Sequence, residues 1–199
     1  MTKVKFCGLR RFEDIEYVNA LKPEYIGFVF AKKSKRYVTP EFAKELKAAL
    51  NPEIKACGVF VNEDAAEVIR LLREGIIDIA QLHGSEDGEY IQRIKAETGR
   101  PVIKAFKIRS EEDAADAAVS CADMVLLDSG EGSGQVFNWQ LISGISRPYF
   151  LAGGLCAENV GKAIETLNPF AVDVSSSIET NGYKDAEKME LFIKNVRKI

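Results

Sequence analysis

Side chains that can exchange protons or bind anions stand at the ends of short apolar runs in this 199-residue sequence. Cys7 ends the first run, His83 the fourth and Asp128 the sixth, while Arg36 lies in a basic stretch after the second. Thiol, imidazole and carboxyl groups are the usual proton carriers of enzymes, and a guanidinium binds planar anions. Whether these four groups act together depends on how the fold arranges the runs.

Eight β-rich apolar runs recur along the chain, with first residues 22 to 29 positions apart and amphipathic helical patterns between them. Eight units of one strand and one helix predict an all-parallel α/β fold, a compact (β/α)8 TIM barrel that forms a single domain over residues 1–199. An open doubly wound sheet is the alternative, but it rarely needs eight evenly spaced units. The runs begin at Lys3, Tyr25, Ile54, Asp78, Pro101, Asp123, Pro148 and Ala171.

Small polar residues ahead of the helical patterns predict where helices begin. Thr39 before Pro40 is typical of an N-cap followed by the first helical position, and Ser110 opens a capping-box pattern. Asn62 and Ser85 are expected to cap the helices that follow them.

In a (β/α)8 barrel the active site lies at the carboxyl ends of the strands, so the polar side chains named above should share one rim. Side chains alternate along a strand, and therefore Lys5 with Cys7, and Gln81 with His83, should point into the barrel. We interpret Asp173 as a charge partner inside the barrel for Lys5 or Lys104. The remaining thiols are interpreted as packing residues: Cys57, Cys121 and Cys156.

The loops after the seventh and eighth runs are predicted to bind a phosphate group. Gly153 and Gly154 let the backbone approach an anion closely, and Ser175 and Ser176 can donate hydroxyl hydrogen bonds. These two loops and a short extra helix often hold phosphate in barrels of this kind. Residues 177–180 are long enough for about one turn of such a helix.

Composition argues against several other classes of protein. A net charge of −3 is not the footprint of a nucleic-acid-binding protein. No apolar stretch approaches the roughly 18 residues of a membrane span, and the first residues lack the apolar core of a signal peptide. One histidine and four scattered cysteines argue against a zinc site, so we expect no metal and a reduced, cytoplasmic protein.

Eight short motifs, in order over nearly the whole chain, resemble the phosphoribosylanthranilate isomerase family of tryptophan biosynthesis. Each motif is weak by itself, but the eight together are highly specific. They are KFCGL (5–9), GFVF (27–30) with KSKRY (33–37), GVFVN (58–62), QLHG (81–84), LD (127–128), GSG to FNW (132–139), GGL (153–155) with ENV (158–160), and AVDVSS (171–176).

The resemblance implies an Amadori rearrangement of N-(5-phosphoribosyl)anthranilate to 1-(2-carboxyphenylamino)-1-deoxyribulose 5-phosphate, the third step of the tryptophan branch after anthranilate. It implies that Cys7 is the general base, that Asp128 is the general acid, and that Arg36 holds the anthranilate carboxylate. No metal or organic cofactor is implied. We then expect an apolar site to raise the pKa of Asp128, and Lys5 to help Cys7 ionise. His83 is a candidate for substrate contact without a catalytic role.

Two features depart from the family pattern. Ser177 stands where the family usually has glycine, which would weaken phosphate binding if a positive φ is needed there. The loop after Asp128 is short, and Gly130–Gly134 is interpreted as a flexible loop that covers the substrate rather than a dinucleotide loop, because it lacks GxGxxG spacing.

Other functions stay open from the residues alone. A different phosphosugar barrel enzyme, such as a pentose-phosphate epimerase or a relative of thiamine-phosphate synthase, is one, although an epimerase of that kind needs several metal-binding histidines. A non-catalytic phosphometabolite-binding barrel is another. The same reaction with a histidine-pathway aminoaldose as an extra substrate is a third. We expect a small-molecule substrate and no nucleic-acid or membrane partner, and either a monomer or a homodimer.

Overall fold

A computed structural model describes residues 1–128 and 139–199. Eight parallel strands pair in sequence order and close into a barrel, which confirms the (β/α)8 prediction over the open sheet. Each strand begins within one residue of its predicted start. The strands are β1 (Lys3–Cys7), β2 (Tyr25–Val29), β3 (Lys55–Phe60), β4 (Ile79–Leu82), β5 (Val102–Lys107), β6 (Met124–Asp128), β7 (Tyr149–Leu151) and β8 (Ala171–Val174).

Helices surround the barrel, and a short hairpin follows β8. In residues 1–128 and 139–199, no helix is long and apolar enough to cross a membrane. Two short 3₁₀ helices cover Trp139–Ile142 and Ser176–Ile178, and the hairpin consists of β9 (Glu179–Thr180) and β10 (Tyr183–Lys184). The α-helices are α1 (Phe12–Leu21), α2 (Pro40–Ala49), α3 (Ala65–Arg73), α4 (Gly88–Thr98), α5 (Glu111–Val119), α6 (Val160–Leu167) and α7 (Ala186–Arg197).

Two of the predicted helix starts are confirmed and two are wrong. Thr39 caps α2 and Ser110 caps α5 through their side chains. The N-caps of α3 and α4 are aspartates, two residues beyond the predicted positions: Asp64 and Asp87. The side chain of Asn62 accepts hydrogen bonds from the Ser85 backbone and hydroxyl instead, so the two mispredicted residues join neighbouring loops.

The apolar residues form two layers because side chains alternate along each strand. On β7, Phe150 belongs to the cluster inside the barrel, whereas Tyr149 and Leu151 belong to the cluster between the strands and the helices. The Phe150 ring lies edge-on to the Tyr25 ring with centroids 5.2 Å apart. This inner cluster fills the lower part of the barrel, below the polar side chains at its mouth.

We expect Phe150→Ala to lower the free energy of unfolding by about 3–5 kcal/mol, because it leaves a cavity in a closed interior that cannot collapse. Urea-induced unfolding followed by circular dichroism measures the change. Leu191→Ala on α7 is the control, since Leu191 is 49% exposed and its truncation should change stability little. A loss below about 1 kcal/mol for Phe150→Ala would contradict the assignment of this residue to the barrel core.

Candidate active site

All of the predicted site residues line one cavity of about 570 Å³ at the carboxyl ends of the strands. The structure therefore brings together groups from the first, second, fourth, sixth, seventh and eighth units. Their chemical roles remain predictions. The predicted residues on this cavity are Cys7, Arg36, His83, Asp128, Gly153, Gly154, Ser175 and Ser176, and Gln81 and Asp173 lie beside them.

Cys7 reaches the cavity because the neighbouring strand has no side chain in its path. A Cβ atom at Gly27 would lie 2.7 Å from the Cys7 Sγ atom, closer than atoms in contact can approach. Burial raises the pKa of the Cys7 thiol, while the nearby Lys5 ammonium acts in the opposite direction and offsets only part of the increase. Lys5 thus favours the thiolate as expected, yet the thiol of the free protein is less acidic than an exposed one.

Lys5 and Asp173 form an ion pair inside the barrel, which confirms the predicted pairing. They are register partners on β1 and β8, and Lys5 Nζ lies 2.9 Å from Asp173 Oδ1. Burial disfavours the ammonium, but the Asp173 carboxylate outweighs it and the pKa of Lys5 is raised, so Lys5 stays charged. Lys104, the other predicted partner, instead contacts Glu86 at 2.8 Å.

His83 lies between Gln81 and the candidate acid Asp128. The Gln81 Nε2 atom is 3.4 Å from His83 Nδ1, and His83 Nε2 is 3.6 Å from Asp128 Oδ2. If the Gln81 amide donates to Nδ1, the neutral imidazole carries its proton on Nε2, facing Asp128. Gln81 is 1% exposed, and its Oε1 atom has no hydrogen-bond partner within the described ranges, so it is available to a hydroxyl in the cavity.

The two loops predicted to bind phosphate lie side by side at the cavity. Gly153 and Gly154 both have positive φ, 86° and 64°, a conformation that glycine adopts without strain. The Ser175 hydroxyl donates to the Cys7 carbonyl at 3.0 Å and is thus occupied within the protein. The hydroxyl of Ser176 therefore stays a predicted phosphate donor. For Ser175, the backbone N–H is the group that we expect to contact phosphate.

Ser177 fits this loop without the strain that its departure from the family pattern suggested. It lies in the 3₁₀ helix, its φ is not positive, and its hydroxyl donates to the Leu155 carbonyl at 2.6 Å. The predicted helical turn over residues 177–180 is only partly correct. The helix ends at Ile178, and Glu179 begins β9 because its backbone pairs with Lys184.

Arg36 packs over the first loop, next to Cys7. A Cβ atom at Gly8, where φ is 82°, would lie 2.3 Å from Arg36 Cδ, so only glycine leaves space for the arginine. The guanidinium donates to both carboxylate oxygens of Glu179, from Nε at 2.7 Å and from Nη2 at 2.8 Å. Lys184 Nζ donates to the same carboxylate at 2.7 Å.

Sequence reasoning missed Glu179 and Lys184, as well as Asn159. Asn159 lines the cavity and holds the glycine loop through Gly154 O and the Cys156 backbone N–H, each at 2.9 Å. The ENV motif (158–160), which contains Asn159, was the available signal. Cys156 also lines the cavity, so its interpretation as a packing residue is wrong, whereas Cys57 is fully buried as expected.

Two further predictions concern the loop after Asp128 and the binding of a metal ion. The substrate-covering loop at Gly130–Gly134 lies outside the described residues. In the described residues, no group of three or more histidine, cysteine, aspartate or glutamate side chains is arranged to hold a metal ion.

The fold and its mouth define a (β/α)8-barrel protein with an enzyme-like cluster of proton-transfer groups, and comparisons with known proteins identify its family. Residues 4–195 match the family model described as N-(5'phosphoribosyl)anthranilate (PRA) isomerase. The N-(5'-phosphoribosyl)anthranilate isomerase of Clostridium acetobutylicum is 47% identical over 207 residues, which cover 100% of this chain and 99% of the relative. The chain belongs to the N-(5'-phosphoribosyl)anthranilate isomerase family.

Solved structures agree with that assignment. The phosphoribosyl anthranilate isomerase of Thermotoga maritima superposes with a TM-score of 0.91 at 37% identity and covers 100% of both chains. A second phosphoribosyl anthranilate isomerase, solved in complex with reduced 1-(o-carboxyphenylamino)-1-deoxyribulose 5-phosphate, superposes with a TM-score of 0.88 at 36% identity, again over 100% of both chains. Both share the barrel over its whole length.

We expect Cys7 in the folded protein to react with iodoacetamide only as the pH becomes clearly alkaline. The thiolate is the reactive form, and burial raises the pKa of this thiol, so the midpoint of the rate against pH should lie above the value in the unfolded chain, about 8.5. Mass spectrometry of the peptide that contains Cys7 measures the rate, with the urea-unfolded protein as the control. A midpoint at or below the unfolded value would contradict this environment.

Proposed function

We propose that the protein catalyses the Amadori rearrangement of N-(5'-phosphoribosyl)anthranilate, with Cys7 as general base, Asp128 as general acid and Arg36 as the site for the substrate carboxylate. The observation that carries the proposal is the shared cavity. A thiol from β1 and a carboxyl group from β6 line it together with a guanidinium and two loops suited to phosphate. Membership of the isomerase family supports the choice of substrate.

The first step opens the ribose ring. The protonated Asp128 carboxyl donates its proton to the furanose oxygen as the bond between that oxygen and C1' breaks, and the nitrogen lone pair forms the C1'–N double bond of an iminium. Asp128 lies at the end of β6 with 24% of its side chain exposed, so it can reach bound substrate while the barrel wall limits water around it. His83, 3.6 Å away, adds a polar neighbour to the carboxylate that results.

The second step removes a proton from C2'. The iminium makes this proton acidic, the Cys7 thiolate takes it, and the electron pair forms a C1'–C2' double bond while the iminium nitrogen becomes neutral. Transfer of the O2' proton to solvent and protonation of C1' then give the ketone. The positive charge of Lys5 stabilises the thiolate, although burial of the site makes the thiolate costly before the iminium forms.

The two charged ends of the substrate match different parts of the cavity lining. Arg36 offers a planar pair of N–H donors for the anthranilate carboxylate, which lysine could not reproduce. Gly153, Gly154, Ser175 and Ser176 offer backbone N–H groups, with the Ser176 hydroxyl, for the 5'-phosphate. Binding at both ends places the ribose carbons between Cys7 and Asp128.

In this proposal the reaction is the third step of the tryptophan branch after anthranilate, and the protein acts in the cytoplasm. Free thiols at all four cysteines support a reducing compartment. A small-molecule substrate is the partner that this site accommodates.

Cys7→Ala and Asp128→Asn should each lower kcat by at least about 10²-fold, because each removes one proton-transfer group while leaving the fold intact. A coupled assay with freshly prepared phosphoribosylanthranilate measures turnover, and thermal unfolding checks stability. Cys121→Ala and Asp116→Asn, both remote from the cavity, are the matched controls and should keep full activity. A variant of Cys7 or Asp128 with undiminished kcat would remove that residue from the mechanism.

Arg36→Ala should mainly raise KM for phosphoribosylanthranilate, by about 10-fold or more, since it removes charge-assisted hydrogen bonds to a carboxylate that is present in both substrate and transition state. Initial rates over a range of substrate concentrations separate KM from kcat. An unchanged KM would exclude the guanidinium as the carboxylate site.

A further inference from the structure

Among the described residues, the guanidinium of Arg36 is bound along one edge only. Its Nε and Nη2 atoms donate to the two Glu179 oxygens at 2.7 and 2.8 Å, a side-on bidentate pair. The Nη1 and Nη2 atoms form a second edge with two more N–H donors. This second edge has no hydrogen-bond partner within residues 1–128 and 139–199, and the Arg36 side chain, 30% exposed, lines the cavity.

Glu179 is itself held from several sides. Its carboxylate accepts from Lys184 Nζ at 2.7 Å, and its backbone carbonyl accepts from Lys188 Nζ of α7 at 2.8 Å. Lys184 is the register partner of Glu179 in the hairpin, and Arg11 from the first loop donates to the Lys184 carbonyl at 3.0 Å. The carboxylate that orients Arg36 is therefore fixed to the barrel through β9, β10 and α7.

The cluster of Arg36, Glu179 and Lys184 carries one net positive charge that a ligand can neutralise. Arg36 and Lys184 are cations and Glu179 is the anion between them, with side chains 30%, 1% and 10% exposed. Burial lowers the pKa of Lys184, and its contact with the Glu179 carboxylate opposes that effect. Burial would raise the pKa of Glu179, but hydrogen bonds from Arg36 and Lys184 outweigh it, so Glu179 stays ionised at neutral pH. The cluster thus has the charge, and the free planar edge, that match one carboxylate.

We propose that Glu179 is the positioning residue that makes the site specific for a substrate with an aromatic carboxylate, by holding Arg36 so that its free Nη1–Nη2 edge faces that group. This inference rests on the proposed function of Arg36. An unrestrained arginine side chain loses rotamer freedom when it binds, whereas Arg36 has lost that freedom before the substrate arrives. Lys184 contributes indirectly, because it keeps the Glu179 carboxylate in place.

A purely electrostatic role of Glu179 and a positioning role predict opposite effects on the binding of a carboxylate. Glu179→Gln removes an anion beside Arg36, so a purely electrostatic role would strengthen binding of a carboxylate. A positioning role requires that binding weakens. Glu179→Asp separates the two explanations further, since it keeps the negative charge but is too short to hold both Arg36 edge atoms and Lys184 in the same geometry.

The experiment compares two ligands by calorimetry: reduced 1-(o-carboxyphenylamino)-1-deoxyribulose 5-phosphate and the same compound with phenyl in place of carboxyphenyl. The ratio of their Kd values measures what the carboxylate contributes. In the wild type, loss of the carboxylate should weaken binding by about 10- to 100-fold. Glu179→Gln and Glu179→Asp should each reduce this ratio by about 10-fold, as should Arg36→Lys, while the Kd of the phenyl ligand changes less than about 2-fold.

Glu67→Gln is the matched control, because Glu67 makes the same bidentate contact with Arg70 on the exposed surface of α3 and should leave the ratio unchanged. Thermal unfolding identifies any variant that fails to fold. If one Glu179 variant does not fold, the ratio measured for the other Glu179 variant tests the inference. A ratio that is unchanged or larger in both Glu179 variants would overturn the inference, and so would equal weakening of both ligands. If the wild type binds neither ligand, the proposed function is wrong. If the wild type binds both ligands equally and Arg36→Lys leaves the ratio of Kd values unchanged, Arg36 does not bind the carboxylate. In that case the inference about Glu179 is wrong as well.

Discussion

The pairing of β1 with β8 is the constraint on which the rest of the molecule depends, because it closes the barrel. Four register pairs join the two strands, from Lys3 with Ala171 to Phe6 with Val174. Beyond the last pair the two chains remain in contact, since the Ser175 hydroxyl donates to the Cys7 carbonyl. The candidate base and the loop proposed to bind phosphate are therefore parts of one hydrogen-bonded seam. A shift of one residue in this register would move both at once.

The same seam places two charges among inward-facing side chains that are mostly apolar. A buried ion pair such as Lys5 with Asp173 is weak evidence for stability, because desolvation of both groups opposes their attraction. Its effect on the site is clearer, since it puts a permanent ammonium below a thiol that burial would otherwise keep neutral. Apolar packing below, centred on rings such as Phe150, supports this polar layer and excludes water from beneath it.

Glycine and charge together arrange the rim above that layer. Gly27 makes room for the Cys7 sulfur, and Gly8 makes room for the Arg36 side chain. Arg36 then meets Glu179, which links the loop after β2 to the hairpin after β8. The mouth is thus organised by contacts among its own loops, so a ligand would enter a site whose charged groups are already oriented.

The sequence by itself determined the eight strand–helix units, the barrel and the rim on which the proton-transfer groups lie, because apolar periodicity and residue order along the chain are local properties. Its family motifs also indicated the chemistry. Only the tertiary structure decided that the Ser175 hydroxyl is occupied, that aspartates rather than Asn62 and Ser85 cap two helices, and that Glu179 holds Arg36. That last contact joins residues 143 positions apart, and its geometry exists only after the barrel closes and the hairpin folds back over the first loop.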